Sequence, residues 1–245
     1  MVQKRFALIL RIATHIGSLV PLMVLIWDYQ THNLTVNPIQ AAEQRTGDIA
    51  ILLLTLCLAC TPLATLTGFS HLTQRRKALG LYAFFYASLH LFIFSVIDFG
   101  LDWEFLIPTV TEKPYIILGL TAFVLLIPLA VTSFRWFMKK MGKNWRRLHA
   151  LIYPAAVLVL VHFALQIKGD FLRQSGDVSR PLAYVIVLTL LFVLRIPTVR
   201  RRVSRWRQFL KSTGIPVRRP ASGRAYSRGT TPAESQAQDP SIQPD

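Results

Sequence analysis

The chain is short of charge and of sulfur. Of its 245 residues only 16% are charged, while 52% are hydrophobic, and its mean hydropathy is +0.40. A soluble domain of this length needs a larger charged shell, so the composition points to a polytopic membrane protein. Two cysteines, Cys57 and Cys60, both lie inside an apolar run and provide no disulfide framework. Their C-x-x-C spacing invites a redox reading, but cysteine is also a small hydrophobe that packs well in a helix. Acids are scarce as well, 12 against 28 Lys and Arg. No glycine loop for a nucleotide, no internal repeat and no separate soluble catalytic domain is legible. Whatever chemistry occurs must take place inside a bundle or at its face.

What the chain does have is long apolar runs. Six are near the ~20 residues that a membrane helix needs, at roughly 8–27, 49–68, 79–97, 115–134, 148–167 and 182–198. The first follows Lys4 and Arg5 like a signal peptide, but it contains His15 and Pro21, and no small-x-small cleavage site precedes Asp28; it reads as a retained helix. With the N-terminus in the cytoplasm, segments 1–11, 69–77, 135–147 and 195–245 hold 23 of the 28 basic residues. Nine of the 12 acids, from Asp28 to Asp177, fall on the other side. Every loop obeys the positive-inside rule. The net charge of +16 is therefore a topology signal and a contact for anionic lipid, not a nucleic-acid footprint. The expected fold is all-α: a polytopic membrane helical bundle of six transmembrane helices, both termini cytoplasmic. Residues 1–210 form that domain, and 211–245, rich in Pro, Ser, Gly and Gln, form a disordered cytoplasmic tail.

Five of the six histidines deserve a depth. His32 lies in the outer loop and reads as a solvated polar residue. Counting ~1.5 Å per helical residue from the cytoplasmic side, His90 lies about 16 Å in, His162 about 21 Å in, and His149 at the inner edge. A single histidine in such a place is usually bonded to a neighbouring carbonyl. Two at one level on separate helices can instead ligate one haem from both sides, and an ionisable group inside lipid is a functional candidate. His90 and His162 are thus candidate haem ligands. His149 needs an inner partner, either His71 or His15, for a second haem; a flavin or quinone beside it is the alternative. His149 and His162 are thirteen residues apart, about 220° beyond three turns of a straight helix, so they share a face only if Pro154 shifts the phase. The basic stretches around Arg75, Arg76, Arg146 and Arg147 serve as topology anchors. Arginine forks there also suit haem propionates or a flavin phosphate.

Three stretches carry a family resemblance: RRKALGLYAFFYASLHLFIF at 75–94, TEKPYIILGLTAF at 111–123 and MGKNWRRLHALIYPAAVLVLVHF at 141–163. Over about residues 5–200 the chain resembles the haem-binding membrane subunit of the bacterial periplasmic methionine-sulfoxide reductase system, the MsrQ (YedZ) family of the ferric-reductase-like transmembrane superfamily. His90, His149 and His162 fall on that family's haem-histidine positions. The resemblance implies a multi-pass protein of the bacterial inner membrane with haem b and FMN. Such a protein takes electrons from the quinone pool or a flavin reductase. It passes them to a periplasmic molybdopterin enzyme that reduces methionine sulfoxide in oxidised proteins. The chain would then be a redox subunit rather than the catalytic one, meeting its partner through 98–114 and 168–180, with Asp98, Asp102, Glu104 and Glu112. Helix 3 offers a single histidine where wider ferric reductases carry pairs, and no FMN motif is legible. The competing functions are a stand-alone transmembrane ferric or metal reductase and a non-redox bundle with proton-relay histidines.

Overall fold

A computed structural model describes residues 2–167, 179–199, 201–203 and 205–206, and every regular element among them is helical. The expected tail, 211–245, and most of the outer segment 168–180 lie outside the described residues. Helix α1 spans Val2–Gln30, α2 Pro38–Thr67 and α3 His71–Phe92, which continues as a π-helical turn over Ile93–Asp98. A short α4, Trp103–Glu112, leads into α5, Pro114–Val131. Two short helices follow, α6 Arg135–Met141 and α7 Lys143–Leu148, then a 3-10 turn His149–Leu151, α8 Ile152–Ile167 and α9 Ser179–Arg195.

Among the described residues five helices are long and apolar enough to cross a membrane: Arg5–Gln30, Pro38–Thr67, His71–Asp98, Pro114–Val131 and Lys143–Gln166. The sixth becomes long enough only if Ser179–Arg195 is joined to Pro197–Val203 across a 70° bend. Chain direction alternates, so one end of the bundle gathers the connections 31–37 and 99–113 with the seven acids among the described residues. The opposite, basic end gathers Arg75, Arg76, Arg146 and Arg147.

The largest departure from the sequence reading is the start of α2, eleven residues ahead of its apolar run. Asn37 caps it, its side-chain oxygen accepting the Gln40 N–H at 3.2 Å, and Pro38 occupies the first helical position, where a missing N–H costs nothing. At 30 residues α2 rises about 45 Å, well past a ~30 Å hydrocarbon layer, and carries a polar first quarter that hydropathy alone leaves as loop. Gly68, at φ +83°, closes its far end with an N–H to the Ala64 carbonyl.

Helix α2 is the central element. Leu53, Leu54, Cys57 and Leu58 on it pack against Ala83 and Tyr86 of α3, Leu126 and Leu129 of α5, Ala155 and Ala156 of α8, and Leu188 and Leu191 of α9. Cys57 and Cys60 are buried free thiols in this core, and the Cys57 Sγ–H donates to the Arg76 carbonyl at 3.2 Å. Helix α1 lies outside it, with only 11% of its apolar window buried against 56% for α2. Polar contacts tie α1 on: Tyr86 Oη–H to the Ser18 carbonyl at 2.7 Å, His15 to Tyr82 at 3.0 Å, and the Arg45–Asp28 ion pair at 2.5 Å. Pro62 has no N–H for the carbonyl of Leu58 one turn earlier; Arg195 reaches across from α9 and donates to it at 2.5 Å.

Candidate functional site

A cavity of about 800 Å³ opens between α2, α3, α5 and α8 toward the acidic end. His90 on α3 and His162 on α8 face each other in it, ring centres 6.3 Å apart and ring planes at 77°. Each ring is held by the neighbouring helix. His90 Nδ1 stands 2.9 Å from the Glu43 carbonyl of α2, and His162 Nδ1 stands 2.7 Å from the Tyr115 carbonyl of α5. A carbonyl only accepts, so Nδ1 carries the proton in both rings and Nε2 keeps its lone pair. That is the tautomer a metal-binding imidazole needs, with its orientation fixed by an outer partner.

Two glycines make this reach possible. Gly47 sits one turn after Glu43, and Gly119 one turn after Tyr115. A side chain there would tilt back over the accepting carbonyl, because Cβ atoms lean toward the helix N-terminus. A Cβ on Gly119 would stand 2.8 Å from His162 Nδ1, and one on Gly47 would stand 3.3 Å from His90 Nδ1.

The cavity is a quasi-two-fold object. Glu43 and Tyr115, Gly47 and Gly119, Ile51 and Phe123, Leu54 and Leu126, Ala87 and Val159, and His90 and His162 all line it, and each pair is 72 residues apart. Gln44 with Ile116 and Phe94 with Gln166 extend the same offset. The α2–α3 hairpin and the α5–α8 hairpin thus present equivalent positions to one space. This repeat escapes the sequence because most pairs differ in residue type; the Gly, Leu and His pairs are the identical members.

The site suits a flat, metal-centred group. His90 and His162 would hold such a group through Nε2, and ring centres 6.3 Å apart leave room for metal-to-imidazole bonds of ~2 Å. The walls around the pair are apolar, and the missing Cβ atoms at Gly47 and Gly119 let both rings lie close to their helices.

His149 lies elsewhere, at the basic end. Its Nδ1 faces the Trp145 carbonyl of α7 at 3.2 Å, and its ring packs against Trp145 with centres 4.0 Å apart and planes tilted by 30°. The Trp145 indole N–H donates to the Thr132 carbonyl at 2.9 Å, pinning this turn to the end of α5. The 3-10 turn His149–Leu151 adds rotation of about 20° per residue over an α-helix. It brings His149 about 60° nearer in azimuth to His162 without giving them a common face. Among the described residues no ring contact or hydrogen bond joins His149 to His71 or His15; His15 is bonded to Tyr82 instead. The position 72 residues before His149 is Lys77, so the quasi-repeat supplies no second histidine at that level. Arg75, Arg76, Arg146 and Arg147 do not line the cavity. Arg76 acts electrostatically on His149, Arg75 and Arg76 are half-buried, and Arg146 and Arg147 are exposed. His32 is exposed, in a turn at φ +54°.

Fold and site together define a multi-pass membrane bundle built around a matched pair of inward-facing histidines. Residues 46–160 match the family model described as ferric reductase like transmembrane component. The chain is 38% identical over 196 residues to the protein-methionine-sulfoxide reductase heme-binding subunit MsrQ of Rhodospirillum rubrum, covering 79% of this chain and 91% of that protein. It is 38% identical over 190 residues to the same subunit from Xanthomonas campestris pv. campestris, covering 75% and 84%. With that of Xanthomonas axonopodis pv. citri it shares 36% over 188 residues, covering 74% and 83%. The chain belongs to the MsrQ family.

Proposed function

We propose that this protein is the haem b-binding, electron-transfer subunit of a protein-methionine-sulfoxide reductase system in the bacterial inner membrane, with both termini cytoplasmic. The observation that carries the reading is the His90–His162 pair, each Nδ1 fixed on a carbonyl and each Nε2 left with its lone pair. One haem held by these two histidines supplies one-electron chemistry through its iron. The Glu43 and Tyr115 carbonyls fix the orientation of both rings, which limits the ordering that ligation requires. Leu54, Phe123, Leu126 and Val159 exclude water from the basic-end side of the site.

Electrons enter at the basic end, from the quinone pool or a flavin reductase, near His149, Trp145 and Arg76. Arg75, Arg76, Arg146 and Arg147 are the groups with the charge to hold an FMN phosphate there. Electrons leave at the acidic end, where Asp98 lines the cavity and Asp102, Glu104 and Glu112 follow it in the same outer segment, to a periplasmic molybdopterin-containing reductase that repairs oxidised proteins. The names of the relatives, heme-binding subunits of a protein-methionine-sulfoxide reductase, support the haem and the kind of partner. A reduced-minus-oxidised spectrum with pyridine haemochrome quantitation of wild type, His90→Ala and His162→Ala tests the site. Full haem retention in either variant would refute it. The match to a ferric-reductase-like component favours one second reading, a stand-alone metal reductase. Reduction of a ferric chelate at an undiminished rate without the partner enzyme would select it.

A further inference from the structure

The cavity is polar at one end only. Leu54, Ala83, Leu126 and Val159 make its floor toward the basic end, while Lys113, Glu43, Asp98 and Gln166 stand at its mouth. Haem b carries two ionised propionates, and an unpaired carboxylate on an apolar floor is strongly disfavoured. Lys113 is the lysine or arginine that lines this cavity among the described residues. Its place is set by the backbone: it ends α4 and caps α5 in an extended conformation, φ −110° and ψ 93°, as a residue before proline prefers. It already acts electrostatically on the Glu43 carboxyl across the mouth.

We propose that Lys113 receives a propionate of the bound haem, so that the carboxylate edge of the macrocycle faces the acidic end of the bundle. This rests on haem ligation by His90 and His162, and it assigns the orientation that ligation leaves open. It also separates the roles of the two basic regions, since the arginines at the far end are removed from the cavity. An ammonium beside the propionate offsets its negative charge and so favours the ferrous state, which has one electron more.

The test uses full-length protein in detergent, stripped and reconstituted with either haem b or its dimethyl ester, which has no carboxylates. Midpoint potential and haem dissociation are measured for wild type, Lys113→Gln and Lys113→Arg. With haem b, Lys113→Gln lowers the midpoint and loosens haem about tenfold, the loss of one charge-assisted hydrogen bond, whereas Lys113→Arg keeps both near wild type. With the diester, the wild type and Lys113→Gln behave alike. Equal changes with both cofactors would place the action of Lys113 on Glu43 or the iron and overturn the proposal, as would no change with either. Failure of wild type to take up haem b would instead sink the haem reading itself.

Discussion

Replacing Gly119 by alanine should be far more damaging than replacing Gly47, although the two are equivalent in the quasi-repeat. The new Cβ at 119 would stand 2.8 Å from His162 Nδ1, 2.9 Å from Cε1 and 3.2 Å from Cγ. Comfortable carbon contacts lie at ~3.5–4.0 Å, so the imidazole must retreat by about 0.7 Å or more. A retreat of that size breaks its 2.7 Å bond to Tyr115, because the carbonyl and the Cβ both approach the ring at Nδ1. Overpacking costs about 1–3 kcal/mol and the lost hydrogen bond about 1 kcal/mol more. Together they weaken haem binding by roughly 30- to 1,000-fold. At Gly47 the nearest approaches are 3.3 Å, which a shift of a few tenths of an ångström relieves. Alanine is also the better helix former by about 1 kcal/mol, which offsets part of this cost at 119 and favours the apoprotein at 47. The assay is haem content per polypeptide with the visible spectrum of each variant, beside circular dichroism of the apoprotein. Gly119→Ala should lose haem or lose the low-spin bis-histidine spectrum, and Gly47→Ala should keep both. A wild-type spectrum at full occupancy in Gly119→Ala would refute the account of how His162 is held.

Three further outcomes follow from the same structure. His149→Ala should leave the haem content of the protein unchanged, since its ring packs against Trp145 rather than facing a second histidine; a fall from two haems to one would contradict this. Arg195→Ala strands the Leu58 carbonyl in the core at a cost of about 1–3 kcal/mol, read as a lowered unfolding midpoint in detergent. In a Pro62→Ala background residue 62 regains its N–H and can serve that carbonyl, so the cost of Arg195→Ala should shrink; an equal cost in both backgrounds disproves the pairing. His32→Ala, at an exposed turn, should change neither haem content nor insertion, judged by spectrum and by membrane-fraction yield.

Much of this molecule is one-dimensional information, and the sequence by itself determined that part. Long apolar runs and the segregation of basic from acidic residues fix the number of candidate spans and their alternating directions, because lipid permits little but helices across it. A rise of ~1.5 Å per residue then puts His90 and His162 at one level without any knowledge of their neighbours. Azimuth and neighbour identity are a different kind of quantity. They depend on how helices pack and on local changes of pitch, such as the π turn after Phe92 and the 3-10 turn at His149, that hydropathy does not encode. Only the tertiary structure decided that Glu43 and Tyr115 give their carbonyls to the two histidines, that Gly119 must lack a Cβ, and that Arg195 serves the Leu58 carbonyl that Pro62 leaves free. It alone revealed the 72-residue correspondence of the two hairpins, since equivalent positions there are matched by the space they line more than by residue type. A side chain's depth follows from its own helix, but what it touches is set by the others.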